Sequence, residues 1–420
     1  MTFVARPDRT LIRAAGASTR YVLVSFTAPE APPKAGRRAI NVAMVLDRSG
    51  SMGGDKIRLA REAVRQGLQL LHADDRFALV VYDDEIDVVV ESTAARAEAK
   101  RNALAKLAQV DARGSTNLGE GWLRGCEQVA AHLDQSSIAR TLLLTDGLAN
   151  QGITDHDALV NHAAELKARG VATSTFGVGH DFDERLLQRM ADAGGGHFYY
   201  IQTAGQIPDL LTSELGEALE VVARNVGVAL QLPAGVQAMP LTRLEHVQTD
   251  GGLRVSLGDV VSGQEVSAVI KLIFPAGAER NQVAVRVSLT DRDGVLAPPP
   301  QELTWTFAGH RENDGQPRDG VVDRAVGELY AALARDRALE LNRQGKYDEA
   351  RQLLEKVAAR IRKYAGKDHE LLEIIRSLAV DEEVFAACMS PADMKAQHYA
   401  SYVVSSNRAP DGKAKRKGHQ

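Results

Sequence analysis

Between about residues 39 and 201, short apolar runs of strand length alternate with stretches of helical spacing, and this alternation constrains the fold more than any other feature. The strand candidates are 40–46, 76–82, 86–90, 140–145, 171–177 and 197–201. Between the first two, Ile57, Ala60, Val64, Leu68 and Leu71 recur at the spacing of one helix face. Further helices are expected at about 95–108, 118–133, 156–169 and 184–193. Strands buried on both faces read as near-continuous Val/Ile/Leu runs, and alternation with helices implies right-handed crossovers onto a mostly parallel sheet. The expected fold class is therefore α/β, doubly wound and Rossmann-like, over residues 37–204.

The pattern changes after a helix expected at 207–224, within a linking segment 205–224. Runs at 225–232, 253–257, 265–274, 282–290 and 302–307 are β-rich, with period-two stretches such as Val283, Val285, Val287 and Leu289. Pro233, Gly251, Gly252, Gly263 and Pro298 to Pro300 punctuate them, which predicts an antiparallel sandwich over 225–310. One more strand, 21–26, stands alone in the N-terminal segment 1–36. An isolated strand cannot bury its apolar face, so it is expected to pair into the sandwich, making the α/β domain an insertion. Residues 319–390 read as helical, with Gly345 to Ala350 forming a turn between two helices like half of a tetratricopeptide unit. The basic segment 405–420, with Lys413, Lys415, Arg416 and Lys417, is expected to be a disordered tail.

Composition narrows the function. The 420 residues carry 51 basic and 55 acidic side chains, a formal charge of −4 that offers no global field for a nucleic-acid backbone. Two cysteines, Cys126 and Cys388, are too few for a disulfide framework and are read as small core residues on helices. No apolar run approaches the ~18 residues of a membrane helix, and Arg6, Asp8, Arg9 and Arg13 leave no apolar signal region. A cytoplasmic location is expected.

The informative run is Asp47-Arg48-Ser49-Gly50-Ser51-Met52-Gly53-Gly54, between the first strand and first helix of the α/β domain. Ligands bind at the carboxyl ends of strands in such sheets. A carboxylate and two hydroxyls at alternate positions can face one point if the loop curls. Oxygen-only ligation suits a hard divalent cation, Mg²⁺ first, then Ca²⁺ or Mn²⁺. Gly114-Ser115-Thr116-Asn117 offers Thr116 as a further hydroxyl, and Leu144-Thr145-Asp146-Gly147 offers Asp146 as a second carboxylate at the end of another strand.

This set resembles the von Willebrand factor type A (VWA) family over about residues 38–201. Asp47, Ser49 and Ser51 stand at the family's Asp-x-Ser-x-Ser motif, Thr116 at its metal-site threonine and Asp146 at its distal aspartate. The stretches Phe176 to Asp183 and Gly195 to Tyr200 look like the family's last strands with the helix between them. The resemblance implies an intact metal-ion-dependent adhesion site. There the serines ligate directly, Asp47 and Asp146 act directly or through water, and Thr116 joins when an acidic ligand binds. It also implies a protein partner that supplies a Glu or Asp to the cation. The order of early strand, type A domain, β-sandwich and helices resembles bacterial type A proteins and, more distantly, inter-alpha-trypsin inhibitor heavy chains and calcium-activated chloride channel regulators.

Enzyme readings fare less well. Neither Ser49 nor Ser51 has glycines two residues to each side, as a hydrolase elbow requires. His369-Glu370 is followed by Glu373 where a zinc-protease motif needs His, and no Gly-Lys-Ser/Thr phosphate loop occurs. The expected role is a metal-dependent protein-interaction module without catalysis. The alternatives are a metal-dependent hydrolase and a scaffold in which the metal only staples loops.

Overall fold

The structure is a computed structural model that describes residues 2–31, 38–134, 136–242, 244–249 and 251–416. The chain forms two compact units, one of residues 32–221 and one of 1–31 together with 222–420. The inserted unit thus interrupts a domain begun at the N-terminus.

The interrupted unit opens with three strands, β1 (Phe3–Pro7), β2 (Leu11–Arg13) and β3 (Ser18–Thr27). The strand expected at 21–26 therefore has two companions, which short length and the charges at Arg6, Asp8 and Arg9 obscure in the sequence.

The inserted unit runs β4 (Ile40–Asp47), α1 (Asp55–Leu70), β5 (Arg76–Tyr82), β6 (Ile86–Ala94), α2 (Ala97–Leu107), α3 (Leu118–Ala130), β7 (Ile138–Thr145), α4 (His156–Ala168), β8 (Val171–Val178), α5 (Glu184–Gly194), β9 (Gly195–Ile201) and α6 (Ile207–Leu219). Its sheet has the order β6-β5-β4-β7-β8-β9. All neighbours are parallel except the β5–β6 pair, so the expected mostly parallel, doubly wound fold is present. Every residue of β4 and β7 is buried, as their apolar runs require. Helix α3 approaches the sheet so closely that a Cβ on Gly125 would lie 2.2 Å from Val45 Cγ2.

The expected helix at 207–224 ends earlier, at Leu219. Glu220 leaves the helix, and Val221 opens β10 (Val221–Gln231). The β-branched Val221, Val222, Val226 and Val228 favour the extended form. Next come β11 (Gln237–Pro240), β12 (His246–Thr249), β13 (Gly252–Val261), β14 (Glu265–Phe274), β15 (Gln282–Thr290) and β16 (Gln301–Ala308). They complete a sheet β1-β3-β14-β11 and a second sheet β12-β13-β10-β15-β16-β2. Strand β3 pairs antiparallel with β14 along its whole length, from Thr27 opposite Glu265 to Ser18 opposite Phe274. Strand β2 lies parallel to β16, a departure from the antiparallel pattern. Inward residues of both sheets, among them Val24, Phe26, Val228, Val255, Phe274 and Trp305, share one core.

Helices α7 (His310–Gly315), α8 (Gly320–Arg343), α9 (Tyr347–Ala365), α10 (His369–Val384) and α11 (Pro391–Ser405) follow. Helical structure thus extends beyond the expected 319–390, because Ser390 caps α11 by accepting from the Asp393 N–H. Val322 and Val326 of α8 pack on Tyr21, Leu23 and Val269. Cys388 is exposed in the connection between α10 and α11, so only Cys126 is the core residue expected. The segment expected to be disordered is ordered through Arg416. The Glu265 N–H donates to the Lys415 carbonyl at 2.8 Å, and Gln264 pairs with Arg416. Backbone hydrogen bonding to the end of β14 outweighs the segment's lack of apolar side chains. Lys417 and the residues after it lie outside the described residues. Among the described residues, no helix is long and apolar enough to cross a membrane.

Candidate functional site

In the inserted unit the chain runs outward from β4 in both directions, to β5 on one side and to β7 on the other. This is a topological switch point, where the loops after neighbouring strands part and leave a crevice. Asp47 is the last residue of β4 and Asp146 directly follows β7, so both carboxylates stand at its mouth.

The Ser49 N–H donates to Asp47 Oδ1 at 2.7 Å and the Thr145 hydroxyl donates to Asp47 Oδ2 at 2.6 Å. Ser49 Oγ and Ser51 Oγ are 3.1 Å apart, and Ser51 Oγ donates to Asp146 Oδ1 at 2.7 Å. A hydrogen-bonded chain thus runs from Thr145 through Asp47, Ser49 and Ser51 to Asp146. Thr116 is buried and close by: a Cβ on Gly147 would lie 3.0 Å from its Oγ1. The structure therefore gathers all five residues singled out in the sequence, from loops up to 99 positions apart.

Backbone bonds hold these loops together. The Gly50 N–H donates to the Gly114 carbonyl at 3.1 Å and the Arg113 N–H to the Arg48 carbonyl at 2.7 Å. Gly114 has φ of 67°, and a Cβ there would fall 1.9 Å from Asp84 Oδ1, so the turn that presents Thr116 needs glycine. The Arg48 side chain pairs with Asp83 at 3.0 Å and Asp87 at 2.6 Å, and Arg113 reaches Asp83 at 2.8 Å. Although burial works against it, the Asp83 carboxyl is held below its usual range by the Glu85 N–H and by these two guanidinium groups.

Asp47 is fully buried, and its hydrogen-bond partners are neutral. Burial, with the Asp146 charge adding to it, pushes its carboxyl up to about 6 despite bonds from Ser49 and Thr145. A buried carboxylate that lacks a cationic partner, within a set of oxygen donors, fits a hard divalent ion.

Sequence reasoning missed two neighbours of the site and one buried charged group elsewhere in the unit. Thr145 orients Asp47. The Lys56 ammonium, from the first turn of α1, contacts Asp146 Oδ2 and donates to the Ser51 carbonyl at 3.3 Å. The third is Glu214 of α6, fully buried, which accepts from Ser174 at 2.6 Å and Tyr199 at 2.6 Å and pairs with Arg140 and with His197 at 3.0 Å. His197, Glu214 and Glu217 lie close enough together to suggest a second metal site. Both Glu214 oxygens are already engaged, however, and Arg140 supplies the countercharge, so the group ties α6 to the sheet.

A doubly wound sheet with Asp-x-Ser-x-Ser at the end of a central strand, joined by a threonine and an aspartate from neighbouring loops, defines a type A domain. The model of the von Willebrand factor type A domain family matches residues 41–213, so the inserted unit is a domain of that family. Among its relatives, YfbK of Escherichia coli K12 is 31% identical over 312 residues, covering 71% of this chain and 52% of that protein. The pig inter-alpha-trypsin inhibitor heavy chain H1 is 26% identical over 54% of this chain and 26% of its own length. The chain thus spans about half of the bacterial relative and a quarter of the animal one. Two solved structures share the fold over nearly the whole chain. A type A protein from Catenulispora acidiphila has TM-score 0.71 at 17% identity, with 99% of this chain and 97% of that one covered. The ArnB paralog VWA2 from Sulfolobus acidocaldarius has TM-score 0.59 at 17% identity, with 96% and 98% covered.

Proposed function

We propose that the protein is a divalent-metal-dependent interaction module, which binds an acidic residue of a partner protein at the site built from Asp47, Ser49, Ser51, Thr116 and Asp146. The observation that carries this reading is the convergence of two buried carboxylates and three hydroxyls at the switch point, with only neutral groups bonded to Asp47. Ser49, Ser51 and Thr116 contribute neutral oxygens, and Asp47 and Asp146 contribute the charge. Mg²⁺, or Ca²⁺ or Mn²⁺ in its place, would supply a Lewis-acidic centre with positive charge left over for an incoming carboxylate. A charge-assisted contact of that kind gives specificity from one anchoring residue. The role is one of binding, without catalysis. The type A domain match supports this reading, and so does the absence of a nucleophile elbow or phosphate loop in the sequence.

The test is affinity capture from source-cell lysate with wild type, Asp47→Ala and Thr116→Ala, each in Mg²⁺ or chelator. A partner held by wild type in Mg²⁺ and released by chelator or either substitution is expected. Equal retention in every condition would refute the proposal.

A further inference from the structure

Lys56 stands where a helix does not favour a cation. It is the second residue of α1, in the first turn, where the macrodipole is positive and acidic side chains are preferred. Its ammonium instead contacts Asp146, which is fully buried, and donates to the Ser51 carbonyl. The other nearby cation of the motif, Arg48, is committed to Asp83 and Asp87. Asp146 Oδ1 takes the Ser51 hydroxyl and Oδ2 takes Lys56, so the distal carboxylate is satisfied by the chain itself.

We infer that Lys56 is a resident counter-cation of the site, which a divalent ion must displace from Asp146. This rests on the metal-binding reading above and adds a regulation of it. Neutralising Asp146 keeps the loops after β4 and β7 joined before metal enters. The same charge repels an arriving cation and competes for one of its oxygens, so affinity is set below what the oxygen donors alone would give. The side chain is 28% exposed, which leaves the ammonium an outlet to solvent when it is displaced.

The experiment titrates Mn²⁺ alone into wild type and Lys56→Met by calorimetry, and measures melting of both in chelator. Lys56→Met is expected to bind Mn²⁺ about tenfold tighter while melting at a lower temperature without metal. A residue that merely shaped the loops would lose both affinity and stability. If wild type binds Mn²⁺ and Lys56→Met binds equally or more weakly, the counter-cation role is overturned and the metal site stands. If neither protein binds Mn²⁺, the metal-site reading itself fails and this inference with it. Should Lys56→Met fail to fold, Lys56→Gln keeps a donor toward Asp146 without the charge and is expected to shift affinity in the same direction; unchanged affinity there counts against the role.

Discussion

Ser51 Oγ donates to Asp146 Oδ1 at 2.7 Å, joining the loop after β4 to the loop after β7 across 95 residues of chain. The bond makes the two ends of the site one unit, so a change at either end is felt at the other.

Metal should therefore stabilise the fold as well as equip it for binding. Mg²⁺ at about a hundred times its dissociation constant is expected to add about 2.7 kcal/mol, seen as a higher melting temperature than in chelator. Asp146→Ala should abolish that difference. A Mg²⁺ increment surviving in Asp146→Ala would place the ion elsewhere.

Gly125 sets how closely α3 lies on β4. A methyl group there would meet Val45 Cγ2 at 2.2 Å, two residues before Asp47. Gly125→Ala is expected to cost about 1–3 kcal/mol in urea unfolding, and adding Val45→Ala should recover part of it.

Glu214 should matter for stability more than any exposed acid. Removing it takes a buried carboxylate away from the Arg140 guanidinium, and from the Ser174 and Tyr199 hydroxyls that donate to it. Glu214→Ala is expected to cost about 3–5 kcal/mol by chemical denaturation. The double replacement Arg140→Met with Glu214→Leu should cost less, because both members of the pair are then removed together.

The two thiols should behave differently. Cys126 is buried on α3, and burial pushes its pKa up to about 12, which outweighs bonds to Thr141 and Thr173. Its raised pKa keeps the thiol protonated at about pH 8.5, where an ordinary cysteine is half ionised. Cys388 is exposed. A thiol reagent at that pH should label one cysteine in native protein and two in denaturant.

The α/β fold was legible because its signal is periodic and strong: β5 spans the expected 76–82, and the runs of β4 and β7 are apolar enough to be buried on both faces. The five residues of the proposed site could be picked out because loop chemistry after strand ends is local. What escaped was non-local. Lys56 looks like an ordinary helix lysine until the fold brings Asp146 beside it, 90 residues later. Glu214 reads as one more polar helix residue until Ser174, Tyr199 and Arg140 surround it. The end of α6 was misplaced because a short run such as Val221-Val222-Ala223 serves helix or strand, and only pairing decides. Strands β1 and β2 were missed because an edge strand of three to five residues carries too few side chains to show a period.

The insertion also bears on how the chain is made. Val24 of β3 pairs opposite Ala268 of β14, about 240 residues further along. At a synthesis rate of about 10 residues per second, roughly 24 seconds pass between the emergence of β3 and that of its neighbour. Strand β1 can shield one edge at once. The other edge, whose backbone groups pair with β14 in the finished fold, waits through translation of the whole type A unit as an open template for unwanted pairing. Swift folding of the inserted unit, which shortens the effective loop between β3 and β14, would be the nascent chain's own protection against aggregation.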